Sequence, residues 1–215
     1  MKLLRYGPAG AEKPAMLDAQ GNIRCLAGTV RDIDGFTLSP AQLKMLAGID
    51  PTSLPLVDNN PRIGPCVVRP MNYVCIGLNY ADHAAEAGMK LPPEPIIFNK
   101  AVSCICGPND NTITPKGSTK LDYEAELAVV IGKPARHLTP DNALDCVFGY
   151  SCFNDGSVRD YQRKTNQWTI GKNFDQTGGF GPWIVTADEL PPGAHGLRIQ
   201  SILNGQVMQD ANTND

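Results

Sequence analysis

Short apolar runs separated by Gly, Pro, Asn and Asp set the pattern of the chain. The opening MKLLRYG reads as a strand, and PAMLDAQGNIRCL reads as a hairpin turning at Ala19 to Asn22, because Gly21 and Asn22 both tolerate positive φ. In LSPAQLKMLAG, Ser39 suits a helix N-cap and Pro40 the first helical position, while Leu43, Leu46 and Ala47 fall at helical spacing before Gly48. The stretch from Ile49 to Pro65 carries four prolines and no period, which predicts a linker. The expected division is a small N-terminal α+β domain over residues 1–60 and a larger domain over 61–215, its first apolar run starting near Val67.

Beyond the linker, apolar strands alternate with short helices. YVCIGL (73–78) and PIIFN (95–99) are bounded by turn residues and are expected to be buried strands, with a helical turn or two in YADHAAEAG between them. DYEAELAVVIG (122–132) begins as an alternating strand and ends wholly apolar. LTPDNALDC predicts a capped short helix, and VFGYSCFND a strand that delivers Asn154 and Asp155 into a Gly-containing turn. LRIQSILNGQVMQD alternates about Asn204-Gly205, a strong hairpin signal. The expected fold class is therefore α+β and β-rich, without internal repeats.

Composition narrows the function classes. Hydrophobic residues make up 42% and charged residues 19%, as in ordinary folded domains. With 19 Lys+Arg against 22 Asp+Glu, the net charge of −3 gives no bulk attraction to nucleic acid. No apolar run approaches the roughly 20 residues of a membrane span, and the N-terminus has no signal-like core, so a cytoplasmic protein without membrane contact is expected. Seven cysteines without a CxxC pair argue against a disulfide frame or a zinc site.

Chemistry concentrates in two places. Glu124 and Glu126, two apart in a predicted strand, leave the same face beside an apolar run, and Asp155 ends another apolar strand. Together they make an oxygen-only set suited to Mg²⁺ or Mn²⁺, with Ca²⁺ also compatible. A solvated sheet face is the alternative. His83 and Glu86 stand at i and i+3 on the short helix, where a carboxylate can orient an imidazole that takes a proton from water; a pair of surface side chains is the alternative. The glycines of TGGFG (Gly178, Gly179, Gly181) lack the context of a phosphate loop and point to a mobile turn or close backbone packing.

The blocks CIGLNYADHAAEAG, EPIIFNKA, DYEAELAVVIGK, GYSCFNDGSVRDYQ, QWTIGKNFDQTGGFGPWIVT and LNGQVMQD resemble, in that order, the signature blocks of the fumarylacetoacetate hydrolase family, over roughly residues 73–211. The resemblance implies a mixed β-roll with short helices and a homodimer. It implies Mg²⁺ or Mn²⁺ on Glu124, Glu126 and Asp155, and His83 with Glu86 as the water-activating dyad. Lys172 matches the family lysine, and Arg159 and Gln162 match positions near the substrate in several members. Lys172 can alternatively be a structural cation for the three carboxylates.

The implied reaction is hydrolysis of a carbon–carbon bond in a small 2,4-diketo acid. The N-terminal region, with DIDG and LSPAQL, is similar to the subgroup of 2,4-diketo-3-deoxy-L-rhamnonate hydrolases, often labelled ureidoglycolate lyase, which implies a deoxy sugar acid cleaved to pyruvate. Acylpyruvate hydrolases of the fumarylpyruvate and maleylpyruvate types share the same core residues, as do isomerases and decarboxylases. The family pattern continues past LNGQVMQD with further strands, a helix and a TGTP block, which implies either a further segment beyond Asp215 or an uncovered sheet edge over 204–215.

Overall fold

Leu3 and Leu4 are both almost fully buried, so the first strand has apolar neighbours on both faces and belongs inside a sheet. The protein, described by a computed structural model over residues 1–86 and 88–214, begins with β1 (Lys2–Tyr6), β2 (Lys13–Leu17) and β3 (Ile23–Cys25). Helix α1 (Pro40–Ala47) and the short β4 (Ile63–Gly64) follow. Next come β5 (Val74–Gly77), α2 (Ala81–Glu86), β6 (Ile96–Asn99), β7 (Ile105–Cys106), β8 (Leu121–Asp122), β9 (Ala125–Ile131) and β10 (Val147–Asn154). The rest comprises β11 (Ser157–Val158), α3 (Arg159–Gln162), α4 (Thr169–Lys172), β12 (Gly178–Thr186), β13 (Arg198–Leu203) and β14 (Gln206–Asn212).

The principal sheet has the order β3-β2-β1-β12-β10-β9, with β4 also on β1 and β7 parallel to β12. β5 with β6, β8 with β11, and β13 with β14 form separate antiparallel pairs. One core joins Leu3, Met16, Leu26, Ile33 and Leu46 to Val130, Phe148, Phe153, Phe180 and Ile184. The first sixty residues thus share both sheet and core with the rest.

The predicted linker packs closely. Arg5 Nε donates to Asp32 Oδ1 (2.6 Å) and Arg62 Nη1 to Glu12 Oε1 (2.9 Å), while Arg62 also pairs with Asp110. Burial alone would raise the Glu12 carboxyl, but the Arg62 hydrogen bond and the charges of Arg5 and Arg62 hold it below its ordinary value. The Arg62 hydrogen bond likewise lowers Asp110.

Several elements match their sequence signals. The hairpin of β2 and β3 turns where expected, α1 begins at Pro40 and ends at Gly48, and Asn204 and Gly205 take φ of 51° and 81° between β13 and β14. Others differ. β5 and β6 are not buried strands: they form a ribbon on which Val74, Ile76 and Ile97 are exposed. Glu124 stands one residue before β9, where its carbonyl extends the ladder to β10 by accepting from Asp155 N (2.9 Å), and the Glu124 and Glu126 side chains both stand near Asp155 and Lys172. LTPDNALDC yields only a 3₁₀ turn at Ala143–Cys146. The TGGFG glycines lie in β12, a central strand, and are neither loop nor hinge. A Cβ on Gly178 would come within 2.8 Å of the Phe153 ring, so close packing explains that glycine.

All seven cysteines are free. Among the described residues no helix is long and apolar enough to cross a membrane.

Candidate active site

β9 and β10 are antiparallel neighbours with Glu126 opposite Phe153, so the start of one strand and the end of the other meet at one place. There Asp155 leaves β10, and the turn through Gly156 leads into β11 and α3. Asp155 is 2% exposed. Lys172, from α4, is equally buried and lies between two carboxylates, donating to Glu124 Oε2 (2.7 Å) and Asp155 Oδ2 (2.8 Å). Arg159 donates from Nε to Asp122 Oδ2 (2.8 Å) and from Nη1 to Glu124 Oε1 (2.6 Å) and Gln162 Oε1 (3.0 Å). Ser157 Oγ is 3.2 Å from Glu124 Oε1. Burial disfavours the Arg159 charge, but Glu124 and Asp122 more than offset this and raise its pKa.

Lys100 completes the cluster. Its Nζ lies 2.7 Å from Asp155 Oδ1, yet the approach is poorly aligned, and Oδ1 is a buried oxygen that accepts no hydrogen bond. Tyr73 Oη is likewise buried without a partner among the described residues, and burial drives its pKa upward, with Asp155 among the nearby charges that add to the shift.

Glu126 is the exception in this network. It makes no salt bridge or hydrogen bond among the described side-chain contacts, and its pKa is pushed up to about 8, first by burial and then by the charges of Glu124 and Asp155. Asp122, Glu124, Glu126 and Asp155 face three cations, Lys100, Arg159 and Lys172; among the described residues Glu126 alone of the four makes no direct ion pair, and the Lys172 charge only partly offsets its burial and its acidic neighbours. Among the described residues no three His, Cys, Asp or Glu side chains are already gathered as a metal cage, since Lys172 fills the space between Glu124 and Asp155. The donor chemistry nonetheless fits a hard divalent cation: every donor is oxygen, Glu126 makes no ion pair among the described residues, and Asp155 Oδ1 has an acceptor site to spare.

The structure brings Glu124, Asp155, Lys172, Arg159 and Gln162 into one hydrogen-bonded group, with Glu126 in its electrostatic field. His83 and Glu86 lie exposed on α2, with no ion pair between them. The helix starts close to the cluster: Tyr80, just before α2, has its phenol pushed up to about 12 by burial and by the charge of Glu126. Lys100, Asp122 and Ser157 escaped the sequence reading. For Lys100 a signal existed, since a lysine directly after the apolar run PIIFN must either reach solvent or find a carboxylate.

Charge and geometry, rather than cavity size, mark this site. One cleft of about 150 Å³ lies between β6 and residues 166–169, and another of about 400 Å³ lies beside Arg5 and Val67; Glu124, Glu126 and Asp155 line neither.

Residues 72–215 match the family described as Fumarylacetoacetate (FAA) hydrolase C-terminal. A protein of Burkholderia multivorans (strain ATCC 17616 / 249), named "Putative hydrolase", is 52% identical over 214 residues, which is 99% of this chain and 76% of the relative. The fumarylacetoacetate hydrolase of Exiguobacterium antarcticum superposes with a TM-score of 0.80 at 32% identity, covering 99% of this chain and 75% of that one. A 5-carboxymethyl-2-hydroxymuconate delta-isomerase from Mycobacterium smegmatis superposes with a TM-score of 0.72 at 27% identity, over 99% and 75%. The strand-rich fold, the match over two thirds of the sequence and a relative identical at half its aligned positions agree: the chain belongs to the fumarylacetoacetate hydrolase family.

Proposed function

We propose that this protein is a divalent-metal-dependent hydrolase that cleaves a carbon–carbon bond in a 2,4-diketo acid and releases pyruvate. The observation that carries this reading is the all-oxygen cluster of Glu124, Glu126 and Asp155, in which Glu126 makes no direct ion pair among the described residues. Glu124, Glu126 and Asp155 would hold Mg²⁺ or Mn²⁺, which when bound supplies Lewis-acid polarisation of substrate oxygens.

The remaining roles fall to the chain's own side chains. Arg159 uses Nε and Nη1 on Asp122, Glu124 and Gln162, which fixes the plane of its fork and leaves Nη2 for a substrate carboxylate. Gln162 accepts from Arg159 through Oε1 and keeps its amide N–H groups for a substrate oxygen. Lys172 Nζ places positive charge at the centre of the cluster, where negative charge develops during cleavage. His83, which would need Glu86 to swing against it to be oriented, takes a proton from water as the water oxygen bonds to C4. The C3–C4 bond then breaks, its electron pair stays with the pyruvyl fragment, and that fragment takes up a proton.

A 2,4-diketo-3-deoxy sugar acid is the favoured substrate, on the N-terminal resemblance. Acylpyruvates of the fumarylpyruvate and maleylpyruvate type are the alternative within hydrolysis. Isomerisation or decarboxylation at the same cluster is a second reading, favoured by the separation of His83 from Glu86 and by the isomerase among the solved relatives. A panel of hydroxylated monoacid and diacid 2,4-diketo acids, scored for pyruvate release with Mg²⁺ or Mn²⁺, tests these choices. Pyruvate from the hydroxylated monoacid supports the reading, and a tenfold preference for diacids reassigns the substrate. Isomerisation or decarboxylation without hydrolysis across the panel overturns it.

A further inference from the structure

Lys100 has no part in the reaction described above, yet its side chain is fully buried, an unusual place for a lysine. It stands directly after β6, and its backbone N–H donates to the Tyr73 carbonyl (2.8 Å), closing the end of the β5–β6 ribbon. Its Nζ reaches across to Asp155 Oδ1 (2.7 Å) and lies 3.4 Å from the Gly156 carbonyl. Lys172 holds the other oxygen of the same carboxylate.

The two lysines are also fixed relative to each other. Asn173, next after Lys172, donates through Nδ2 to the Asn99 carbonyl (2.9 Å) and accepts through Oδ1 from Ala101 N–H. One amide thereby grips the backbone on both sides of Lys100. The ribbon is not part of the principal sheet: β5 and β6 pair only with each other among the described strands, and Val74, Ile76 and Ile97 are exposed. Its inward contacts include Phe98 edge-on to Trp168 (centroids 5.8 Å apart) and Lys172 Nζ over the Phe98 ring (5.3 Å).

We propose that Lys100 is a positioning residue: its ion pair with Asp155 latches the β5–α2–β6 module onto the carboxylate cluster and so fixes where α2, with His83, stands relative to it. The catalytic consequence rests on the hydrolase reading above, whereas the latch itself does not.

The test uses the full chain and the variant Lys100→Met, which keeps the stem and loses the ammonium. Because this leaves Asp155 buried with one cation fewer, the double variant Lys100→Met/Asp155→Asn, with no orphaned charge, serves as a second measurement. Hydrogen–deuterium exchange of the metal-free proteins should rise at least tenfold more in residues 74–77 and 96–99 than in β10, in both variants. In the folded Lys100→Met protein, kcat for the substrate cleaved by the wild type should fall about 10- to 100-fold with KM within threefold, because the loss is one of positioning. Wild-type protection of the ribbon in the double variant, or unchanged kcat in folded Lys100→Met, overturns the proposal. A wild-type protein that releases no pyruvate overturns the hydrolase reading instead, and the exchange comparison still decides the latch.

Discussion

Replacing Glu126 by Gln should make the metal-free protein more stable while removing its function. The Glu126 carboxyl titrates near 8 in the folded chain against an ordinary 4.5, because burial and the neighbouring Glu124 and Asp155 disfavour its charge. Below pH 4.5 the group is neutral in folded and unfolded chains alike and costs nothing. Between pH 4.5 and 8 the folded state keeps a proton that the unfolded state has lost, so stability falls progressively; above 8 both states are ionised and the loss no longer grows. Each tenfold change in proton affinity corresponds to about 1.4 kcal/mol, which sets a ceiling of ~5 kcal/mol at pH 8.5. Water entry and side-chain rearrangement relax such a penalty, and about 1–3 kcal/mol is expected, or roughly 3–9 °C in melting temperature for a chain of this size. Calorimetric melts in chelator should therefore show Glu126→Gln above wild type at pH 8.5 and level with it at pH 5. Added Mn²⁺ should shift the balance back toward wild type by about 1.3 to 2.7 kcal/mol, since a ligand at 100 times its Kd stabilises by about 2.7 kcal/mol and a tenfold weaker site keeps only about 1.4. A variant that melts below wild type in chelator at pH 8.5 would refute the reasoning, because Glu126 would then be making a favourable contact in the metal-free state.

Arg5→Ala leaves Asp32 and Glu12 short of their buried partner, and urea unfolding should show a loss of about 3–5 kcal/mol at unchanged slope. Tyr73→Phe removes a buried hydroxyl that bonds to nothing, so the melting temperature should hold or rise by the equivalent of about 1 kcal/mol; a clear drop would reveal a hidden partner. His83→Ala on the exposed face of α2 should leave the melt within about 0.5 kcal/mol of wild type yet lower kcat about 10²- to 10⁴-fold on the true substrate, as stopped-time product assays would show. Val129 and Ile131 are about half exposed on the edge strand β9, and with the family resemblance this leads us to expect a homodimer; sedimentation giving a fully active species of one chain mass would reject it.

Local signals carried much of the architecture. The β2–β3 hairpin, α1 between Ser39 and Gly48, β10 and the Asn204-Gly205 turn each depend on residues a few positions apart, so sequence patterning reaches them. Long-range pairing left no such trace. β1 pairs with β12 through Lys2 opposite Val185, and nothing within either segment encodes that partner. β12 was hidden by its glycines, which left a mobile turn and close backbone packing both open, whereas Gly178 packs against Phe153 within a central strand. β5 and β6 misled in the opposite sense, since apolar runs do not reveal whether a neighbour covers them. At the site, Glu124, Glu126 and Asp155 were legible from strand ends and composition, but the break before β9 and the buried lysine on Asp155 were not. Both depend on how distant segments meet, as the approach of Lys100 to Asp155 illustrates.

The claim that this cluster is a divalent-cation site is tested most directly by titrating Mn²⁺ into the full-length wild-type chain and following free Mn²⁺ by electron paramagnetic resonance, alongside Glu124→Gln, Glu126→Gln and Asp155→Asn. One Mn²⁺ per wild-type chain is expected, released by chelator, with affinity at least tenfold weaker in each of the three folded variants. Wild-type protein that binds no Mn²⁺, or variants that bind it as tightly as wild type, would contradict it.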